Sequence, residues 1–490
     1  MTVGIIGFGA YVPRLRLNRQ AVAEANAWFA PHFLGKVSGS RAMANWDEDS
    51  VTMAVAAARD CMRGIGAVGP VCNLLLASST LPFVERLNSG IAAEALRLGD
   101  RVAAADITGS QTAALSGLAQ ALASARGGAG DTLLLAVDAR KALAGSTQEM
   151  DYGDGAAALR VGATDVLAEC VSHSSLTVDF VDHFRGAGRE IDYQWEERWV
   201  RDEGIAKLVP KVIKDALTVG GVQAAEVDYF IFPSTYAKVD AQLAKLCGLR
   251  SECVVDTLSA NVGDVGVAHA LLMLCGVLER ALPGQTSLLT QFGSGAQAFL
   301  FRVTSRIAAF RPRIGVSGWL ARGVPENRYT RFLVYKNQLP VERGMRGEQD
   351  RKTALSTYER HRDALAGFVG GRCRITGDVH FPPSRISYTP GAPAHDSQDP
   401  YPMADLEGRV LSWSAEYLSF HLSPPHQYGQ VDFDGGGRVL MDFTDVSLGD
   451  ISPGTRVEMV FRIKDVDEMR GFKRYFWKAT PVGPPSIARN

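Results

Sequence analysis

Short apolar runs alternate with longer Ala-rich stretches through the first 300 residues. The short runs predict buried strands, and apolar residues at helical spacing predict helices packed against them. This alternation is typical of layered α/β proteins. The predicted strands are Val3–Ile6, Asn73–Ala77, Val102–Asp106, Thr132–Val137, Ala156–Val161, Tyr229–Phe232 and Ser287–Gln291. The predicted helices include Asp49–Met62, Gln111–Ala125 and Val267–Leu282.

One local arrangement occurs twice along this part of the chain. The segment Asp106-Ile-Thr-Gly-Ser110 leads from a strand into an Ala/Leu-rich helix, and Asn261-Val-Gly-Asp-Val-Gly266 leads into a second such helix. A glycine or serine loop at this position lets the unpaired N–H groups of the helix N-terminus face a cavity, where they favour anions. We therefore predict an internally duplicated α/β fold in which two such loops meet near a pseudo-two-fold axis.

The pattern changes after about residue 305. Residues 311–353 are rich in Arg and Gly without a sustained period, which is typical of a linker or a surface-wrapping extension, and a short helix follows at Thr353–Leu365. Turn segments at Asp434-Gly-Gly-Gly437 and Ser452-Pro-Gly454 then separate short β-prone runs. These runs are Arg409–Trp413, Tyr428–Phe433, Arg438–Thr444, Arg456–Arg462 and Tyr475–Ala479. About five strands in so short a tail predict a small barrel of the OB type.

The predicted organisation has four parts. Residues 1–165 and 166–305 form the two α/β halves, residues 306–357 the linker or extension, and residues 358–490 the all-β module. A chain of 490 residues is too long for one simple core, which agrees with several packing units.

Composition excludes several classes of protein. Charged residues make up 21% and hydrophobic residues 46%, as in ordinary globular enzymes, and the net charge of −1 does not indicate a nucleic-acid or anionic membrane partner. The seven cysteines are scattered and none has CxxC spacing, so neither a disulfide framework nor a zinc site is indicated. The N-terminus lacks the features of a secretory signal, and no apolar run is long enough to span a bilayer. We expect a cytoplasmic location.

Several segments, taken in this order, resemble the thiolase superfamily, and its 3-hydroxy-3-methylglutaryl-CoA (HMG-CoA) synthase and class III ketoacyl synthase branches in particular. The resemblance covers most of residues 1–305. It implies a layered αβαβα fold, an acyl-CoA substrate and a homodimer paired through the strand before the first loop. The segments are Tyr11-Val-Pro-Arg14, Asn45-Trp-Asp-Glu-Asp49, Asp106-Ile-Thr-Gly-Ser110, Gly153-Asp-Gly-Ala156 and Phe292-Gly-Ser-Gly-Ala296.

The tail from about Tyr358 resembles the zinc-ribbon/OB-fold module that accompanies many thiolase-like enzymes. In those relatives the ribbon holds zinc with four cysteines. Here only Cys373 stands, with Thr376 and Ser387 near the places where partners are expected. One thiolate cannot build a four-coordinate zinc site, so we predict no metal, and no cofactor beyond the coenzyme A thioester of the substrate.

The resemblance implies chemistry that this chain departs from at four places. The family forms or breaks a carbon–carbon bond beside a thioester and needs a thiolate, a proton-transfer group and an oxyanion hole. The position of the family's cysteine is taken by Thr108, with Ser110 close by, and the place of its histidine by Pro233 or Ser234. Asp264 stands where ketoacyl synthases have Asn, and Ser79-Thr80 where HMG-CoA synthase has its general acid/base Glu.

Three residues, two at the second loop and one after the displaced histidine position, are candidates for a rebuilt site. Asp264 is the best candidate base, since a helix N-terminus keeps a carboxylate ionised, although an N-cap role is the alternative. His269 is a candidate for proton transfer, or else a hydrogen-bonded core residue of an apolar helix. Tyr236 is a candidate donor to an oxyanion, or else a packing residue.

Two further pairs complete the predicted site. Thr108 and Ser110 either shape an oxyanion hole through their backbone N–H groups, accept the acyl group themselves, or only form the strand-to-helix turn. The dense charged and aromatic stretch from Asp182 to Trp199 is either a specificity loop that lines an acyl cavity with Tyr193 and Trp195, or a surface loop pinned by ion pairs.

The leading functional hypothesis is an acyl-CoA-processing enzyme, similar to HMG-CoA synthase, that forms or cleaves a C–C bond by condensation, retro-Claisen or retro-aldol chemistry without a Cys nucleophile. The alternative is a non-catalytic acyl-CoA-binding or scaffold subunit of a thiolase-type complex. The expected partners are the acyl-CoA, a second copy of the chain and a possible thiolase-type enzyme, with no nucleic acid and no membrane.

Overall fold

The apolar runs of the first 300 residues form one large mixed sheet. A computed structural model describes residues 2–64, 70–345 and 354–483 and divides the chain into two compact units. Unit 1 consists of Met1–Ala44, Met53–Ala93 and Leu98–Phe332, and unit 2 of Asn45–Thr52, Glu94–Arg97 and Leu333–Asn490.

The strands of unit 1, and the helices that lie wholly or partly in it, have the following bounds. Helices α2, α3 and α11 each include residues of both units. The strands are β1 Gly4–Tyr11, β2 Leu15–Asn18, β3 Ser40–Met43, β4 Val71–Ala77, β5 Ala103–Ile107, β6 Asp131–Asp138, β7 Gly155–Gly162, β8 Ala168–Thr177, β9 His183–Phe184, β10 Tyr193–Gln194, β11 Tyr229–Ile231, β12 Thr286–Phe292, β13 Gly295–Val303 and β14 Val324–Glu326. The helices are α1 Arg19–Asn26, α2 Ser50–Met62, α3 Asn88–Ala95, α4 Ala113–Arg126, α5 Thr147–Asp151, α6 Glu197–Trp199, α7 Ala206–Gly220, α8 Val239–Leu246, α9 His269–Leu278, α10 Gly315–Ala321 and α11 Tyr329–Tyr335.

The large sheet repeats one strand order on either side of its centre. Its nine strands lie in the order β11-β12-β13-β8-β1-β7-β6-β4-β5. On one side β4 and β6 are parallel and β7 and β1 follow antiparallel, and on the other β11 and β12 are parallel and β13 and β8 follow antiparallel. A short pairing of Gly4 and Ile5 with Glu169 and Ala168 joins the two halves. The internal duplication expected from the sequence is therefore present.

The two helices that follow the glycine loops pack in the same core. Every residue of α9 except Gly276 is buried, so the helix is enclosed on all sides, and apart from His269 these buried residues are apolar. Helix α4 buries one face through Ala114, Leu118, Ala121 and Leu122. The core cluster contains residues of both helices together with β1, β6 and β7.

Two strands of the large sheet, β8 and β13, were not predicted from the sequence. Strand β8 alternates buried and partly exposed positions with many polar residues, so it has no continuous apolar run. Strand β13 follows β12 after a tight hairpin at Gly293-Ser294, within the Phe292-Gly-Ser-Gly-Ala296 motif.

The predicted linker is partly built into unit 1. Residues 306–332 lie in unit 1, where β14 pairs in parallel with β2 through Val324 and Leu15. The sequence of this segment has no sustained period because its elements are only a few residues long. Residues 346–353 of the predicted linker, including Arg346, Arg351 and Lys352, lie outside the described residues.

Unit 2 contains the predicted all-β module. Its elements are α12 Leu355–Arg360, α13 Arg362–Leu365, β15 Val369–Cys373, β16 Val379–His380, β17 Ile386–Ser387, β18 Ala394–His395, β19 Gln398–Pro402, β20 Gly408–Glu416, β21 His426–Phe433, β22 Arg438–Asp442, β23 Arg456–Asp467 and β24 Phe472–Pro481. Strands β20–β24 form a five-stranded antiparallel sheet in the order β22-β21-β20-β23-β24, and each matches a predicted strand.

In the part of unit 2 that corresponds to the expected zinc ribbon, the side chain of Cys373 is buried. Its Sγ lies 3.2 Å from Ser397 Oγ, and hydrogen bonds from Ser387, Ser397 and Thr376 lower the pKa of the thiol to about 6. Among the described residues no group of three or more His, Cys, Asp or Glu side chains is placed to hold a metal ion.

Buried charges concentrate where the segment Asn45–Thr52 packs within unit 2. Arg462, whose side chain is 1% exposed, lies 3.0 Å from Glu48 and 2.8 Å from Asp445, and Lys478 lies 2.8 Å from Asp47. The acidic segment noticed in the sequence therefore neutralises two buried cations of β23 and β24. Within the described part of the chain, no helix combines the length and apolarity needed to cross a bilayer.

Candidate functional site

A polar cavity of about 110 Å³ lies in unit 1. It is lined by the loop before α4, the helix α5, the hairpin β9–β10, the end of β11, the loop before α9 and the end of β12. The lining residues that carry the argument are Gln111, Arg140, Asp151, Asp182, His183, Gln194, Tyr236 and Asp264.

Glycines let these loops approach each other. The Gly153 and Gly263 segments cross so closely that a Cβ on Gly153 would lie 1.9 Å from the Val262 carbonyl oxygen. Gly263 has φ +83°, and a Cβ there would lie 2.7 Å from the Asp151 carbonyl oxygen. Only glycine fits either position. The Gly-Asp-Gly and Gly-Asp motifs thus meet at one wall of the cavity.

The loop before α4 meets the hairpin β12–β13 in the same way. A Cβ on Gly293 would lie 2.8 Å from Gln111 Cβ. The Gly293 carbonyl accepts hydrogen bonds from the hydroxyls of Ser110 at 3.0 Å and Thr112 at 3.2 Å. Four motifs singled out in the sequence therefore converge around this cavity.

Asp264 lines the cavity as one half of an ion pair. Arg140 donates to its Oδ2 at 2.5 Å, and the Gly266 N–H donates to its Oδ1 at 2.9 Å. Burial by itself raises the pKa of Asp264, but the Arg140 guanidinium holds that pKa far below the usual range. Both oxygens of the carboxylate are engaged, so Asp264 is a weak proton acceptor in this state. Its predicted role as the base stays a prediction.

Arg140 was missed in the sequence. Its side chain is 3% exposed, and it lies over the ring of Tyr152 at 3.7 Å from the centroid. The sequence feature that points to Arg140 is its position two residues after the apolar strand β6, where the chain leaves the edge of the sheet.

His269 lies behind the cavity and is not among its lining residues. The Val265 N–H donates to Nδ1 at 2.9 Å, so the ring proton is on Nε2, which donates to the Thr257 carbonyl at 2.7 Å. The 3.3 Å approach of Nδ1 to Asp264 Oδ1 joins two acceptors and is not an ion pair. This placement agrees with the alternative of a hydrogen-bonded core histidine.

The hairpin β9–β10 instead supplies His183. Its Nδ1 lies 2.8 Å from Asp182 Oδ2, and the amide nitrogen of Gln111 donates to its Nε2 at 3.0 Å. Asp182 accepts only, so Nδ1 carries a proton. Burial by itself lowers the pKa of His183, but Asp182 more than offsets this and raises that pKa above its ordinary value.

Tyr193 and Trp195 do not line the cavity, although the sequence predicted a specificity loop with these rings inside. In the hairpin, Gln194 pairs with His183 and Tyr193 pairs with Phe184. Because side chains alternate along a strand, Gln194 faces the cavity and its neighbours face away. Tyr193 is 57% exposed and Trp195 is 47% exposed.

Tyr236 lines the cavity, as a donor to an oxyanion must. Gln194 Nε2 donates to its hydroxyl oxygen at 3.1 Å, and no acceptor for the phenolic proton lies among the described residues. Burial raises the pKa of Tyr236 to about 12, so the hydroxyl stays protonated. Ser234, at the displaced histidine position, accepts from the Tyr236 N–H at 3.1 Å and holds the turn.

Thr108 and Ser110 are not among the lining residues. Thr108 is exposed at the end of β5, and Ser110 is half-buried and bonded to the Gly293 carbonyl. Near Ser79-Thr80, where HMG-CoA synthases have a Glu, the hydroxyls of Ser78, Ser79 and Thr80 all bond to Asp138 Oδ1. None of the seven cysteines lines this cavity.

Known proteins resemble the two parts of the chain separately. A hydroxymethylglutaryl-CoA synthase of Aeropyrum pernix is 29% identical over 322 residues, which cover 64% of this chain and 88% of the relative. The enzyme of the same name from Methanosarcina barkeri is 26% identical over 352 residues, 69% of this chain and 99% of the relative. The family model described as the ChsH2 C-terminal OB-fold domain matches residues 401–462.

Solved structures agree on the fold. An HMG-CoA synthase complexed with CoA aligns with a TM-score of 0.57 and 16% identity, over 72% of this chain and 95% of that chain. The 3-oxoacyl-(acyl carrier protein) synthase III of Pseudomonas aeruginosa aligns with a TM-score of 0.55 and 21% identity, over 64% of this chain and 100% of that one. The predicted thiolase-like, HMG-CoA synthase-like fold with an OB-fold module is confirmed.

Proposed function

We propose that this protein is an acyl-CoA-processing enzyme that makes or breaks the C–C bond beside a thioester by aldol-type chemistry, without an acyl-enzyme. The observation that carries the proposal is the composition of the cavity. It lies where the two helix-opening loops meet, it is lined by charged, amide and phenolic groups, and it contains none of the seven cysteines.

Claisen chemistry through a hydroxyl nucleophile is poorly supported by the same geometry. A serine or threonine needs an adjacent base to become an acyl carrier. Ser110 Oγ is bonded to the Gly293 carbonyl and to Thr112 Oγ1 at 3.0 Å, and Thr108 lies outside the cavity lining. Aldol-type chemistry needs only proton transfer and stabilisation of the thioester enolate.

In the cleavage direction the substrate is a 3-hydroxyacyl-CoA. The bond between its α- and β-carbons breaks as the β-hydroxyl loses a proton, which gives a carbonyl product and the enolate of the shortened acyl-CoA. In the imidazolium form that its raised pKa favours, His183 also carries a proton on Nε2, the Gln111 amide turns its oxygen toward that proton, and the ring then protonates the enolate carbon. Tyr236 donates its free hydroxyl proton as a hydrogen bond to the enolate oxygen. The reverse sequence of steps is the aldol addition.

The Arg140–Asp264 pair has a supporting role in this scheme. The Arg140 guanidinium offsets part of the negative charge of the Asp151, Asp182 and Asp264 carboxylates that line the cavity, while Asp264 holds it in place. Arg140 also donates to the Asp264 backbone carbonyl at 3.0 Å, so side-chain and backbone oxygens of Asp264 both hold the guanidinium.

We also propose that the protein acts as a homodimer that pairs through β5. This strand lies at the edge of the large sheet, and its residues Ala103 and Ala105 are exposed. Small exposed side chains on an edge strand let a second copy approach closely enough for sheet pairing.

A substrate panel tests the function. The full-length protein is incubated with saturated acyl-CoAs, 3-hydroxyacyl-CoAs and 3-oxoacyl-CoAs, and chain-shortened CoA products are followed by mass spectrometry. We expect cleavage of a 3-hydroxyacyl-CoA that His183→Gln slows at least about 100-fold. His32→Gln, at an exposed histidine of the same unit, should keep full activity.

The alternative function gives a different result. A non-catalytic acyl-CoA-binding or scaffold subunit would bind members of the panel without any chain-shortened product, and His183→Gln would leave that binding unchanged. That outcome would reject the enzymatic proposal.

A further inference from the structure

Two carboxylates line the cavity in opposite environments. Asp151 ends α5, and Asp264 opens the loop before α9. Their backbones are joined by a hydrogen bond of 2.7 Å from the Asp264 N–H to the Asp151 carbonyl. Pairs of titratable groups whose surroundings push their pKa values apart mark the division of acid and base roles in many enzymes.

Helix α5 aims Asp151 at the cavity. Gln148 and Asp151 are three residues apart, so they share one helical face, and both line the cavity. The opposite face is fixed by Glu149, which is fully buried and accepts from the Tyr329 hydroxyl and the Gly145 N–H, each at 2.8 Å. The direction of the Asp151 side chain therefore follows from an anchored helix.

The Asp151 carboxylate has no hydrogen-bond donor among the described residues, unlike that of Asp264. The nearest cations are directed elsewhere. Arg19 gives its N–H groups to the carbonyls of Met150, Ser38 and Ser259, and Arg41 donates to the Glu149 carbonyl. Lys36 lies on the exposed surface.

These surroundings set the protonation of Asp151. Burial raises the pKa of Asp151 to about 6, against the opposing charges of Lys36, Arg19 and Arg41 and with a small addition from Asp264. A carboxylate that is desolvated and lacks a donor is a stronger base than an ordinary aspartate. Asp264, held by Arg140, lacks that property.

We propose that Asp151 is the general base of the aldol-type reaction, which takes the proton from the β-hydroxyl of a 3-hydroxyacyl-CoA. This inference rests on the proposed function. In cleavage, Asp151 gains the hydroxyl proton, the electron pair of the C–C bond moves into the thioester enolate, and His183 gives its Nε2 proton to the enolate carbon. Asp151 returns its proton to solvent and His183 takes one back, so no other reactant is needed.

The two groups are in their reactive forms in the same pH range. Asp151 is ionised above about pH 6, and His183, whose pKa is raised, stays protonated into the neutral range. The kcat/KM of cleavage should therefore rise as the pH passes the pKa of Asp151 and fall as the pH passes that of His183.

The test compares Asp151→Asn with wild type in two assays. The first measures cleavage of a 3-hydroxyacyl-CoA across pH 5–9. The second measures exchange of the α-protons of the product acyl-CoA in D₂O, which needs His183 and the oxyanion site but no base for a hydroxyl. We expect Asp151→Asn to slow cleavage about 100-fold or more, to lose the acidic limb of the profile, and to keep α-proton exchange within a few-fold.

Controls separate this inference from its premise. Asp215→Asn, at an exposed acid on α7, should change neither assay, and Asp151→Glu should retain part of the cleavage rate and an acidic limb. Wild type that neither cleaves nor exchanges would sink the proposed function itself. Cleavage by Asp151→Asn at the wild-type rate, or equal loss of cleavage and exchange, would overturn the role of Asp151 while leaving the proposed function standing.

Discussion

The backbone N–H of Asp264 donates a 2.7 Å hydrogen bond to the carbonyl of Asp151, so two loops far apart in sequence hold two carboxylates at one cavity wall. The bond exists because Gly153 and Gly263 flank it and allow the strands to cross closely. A small backbone crossing therefore fixes the relative position of the ion-paired and the unpaired carboxylate.

Removing the crossing should disrupt the site. In Gly153→Ala, the new Cβ would lie 1.9 Å from the Val262 carbonyl oxygen, so one of the two loops must move. We expect a loss of about 2 kcal/mol or more in the free energy of unfolding, and an activity loss of at least tenfold. Urea unfolding and cleavage kinetics measure both. Gly188→Ala is the control, because its positive φ gives backbone strain of about 1 kcal/mol in open space.

The Arg140–Asp264 pair should be stabilising only as a pair. Asp264→Ala leaves a buried guanidinium without its partner, so we expect a loss of about 3 kcal/mol in the free energy of unfolding. Arg140→Met combined with Asp264→Ala should recover part of that loss, because the guanidinium and its carboxylate partner are removed together. A double-mutant cycle by urea unfolding measures the coupling. Additive single and double losses would show that the two side chains act independently.

The same pair predicts a pH dependence of stability. Because the pKa of Asp264 is depressed in the folded protein, its contribution is complete above the ordinary carboxyl value of about 4 and is lost as the pH falls below it. The difference in stability between wild type and Asp264→Asn should therefore stay constant from pH 5 to 8 and shrink below pH 4.

Tyr236→Phe tests the oxyanion donor. The substitution removes the hydroxyl that Gln194 positions but keeps the ring, so packing should be preserved. We expect kcat to fall about 100-fold with little change in KM or melting temperature. Tyr193→Phe, at a 57% exposed ring outside the cavity lining, should change neither constant. Equal effects of the two substitutions would argue against an oxyanion role for Tyr236.

Unit 2 offers a test of its buried charges. In Arg462→Met, the carboxylates of Glu48 and Asp445 lose a cation whose side chain is 1% exposed. We expect a loss of about 3 kcal/mol in the stability of this unit by urea unfolding. Arg438→Met, which breaks an exposed pair with Asp432, should change stability by less than about 1 kcal/mol.

The fold could be predicted largely because its signals are local. Apolar runs marked most strands of the large sheet and all five strands of the OB-fold sheet, and the glycine motifs marked the loops that converge. Strand β8 was not predicted, because its many polar residues resemble the composition of a loop. The helices and strand of segment 306–332 were not predicted, because each is too short to show a hydrophobic period.

The site was predictable in place but not in detail. The sequence pointed to Asp264 and Tyr236, which line the cavity, and to the stretch that contains His183. It offered Tyr193 and Trp195 as lining residues of a specificity loop, with a surface loop as the alternative, because strand register cannot be read from composition. Arg140 and Asp151 were not predicted, because their roles depend on which side chains surround them. Arg140 has an ion-pair partner, whereas the Asp151 carboxylate has no hydrogen-bond donor among the described residues. Tertiary structure determines both.

Intact-protein mass spectrometry during turnover tests the central claim most directly. The protein is mixed with a 3-hydroxyacyl-CoA that it cleaves, quenched in acid on the time scale of one turnover, and weighed. The account predicts chain-shortened acyl-CoA alongside protein of unmodified mass. An acyl adduct on a cysteine, Ser110 or Thr108 that forms and decays at the rate of turnover would contradict it.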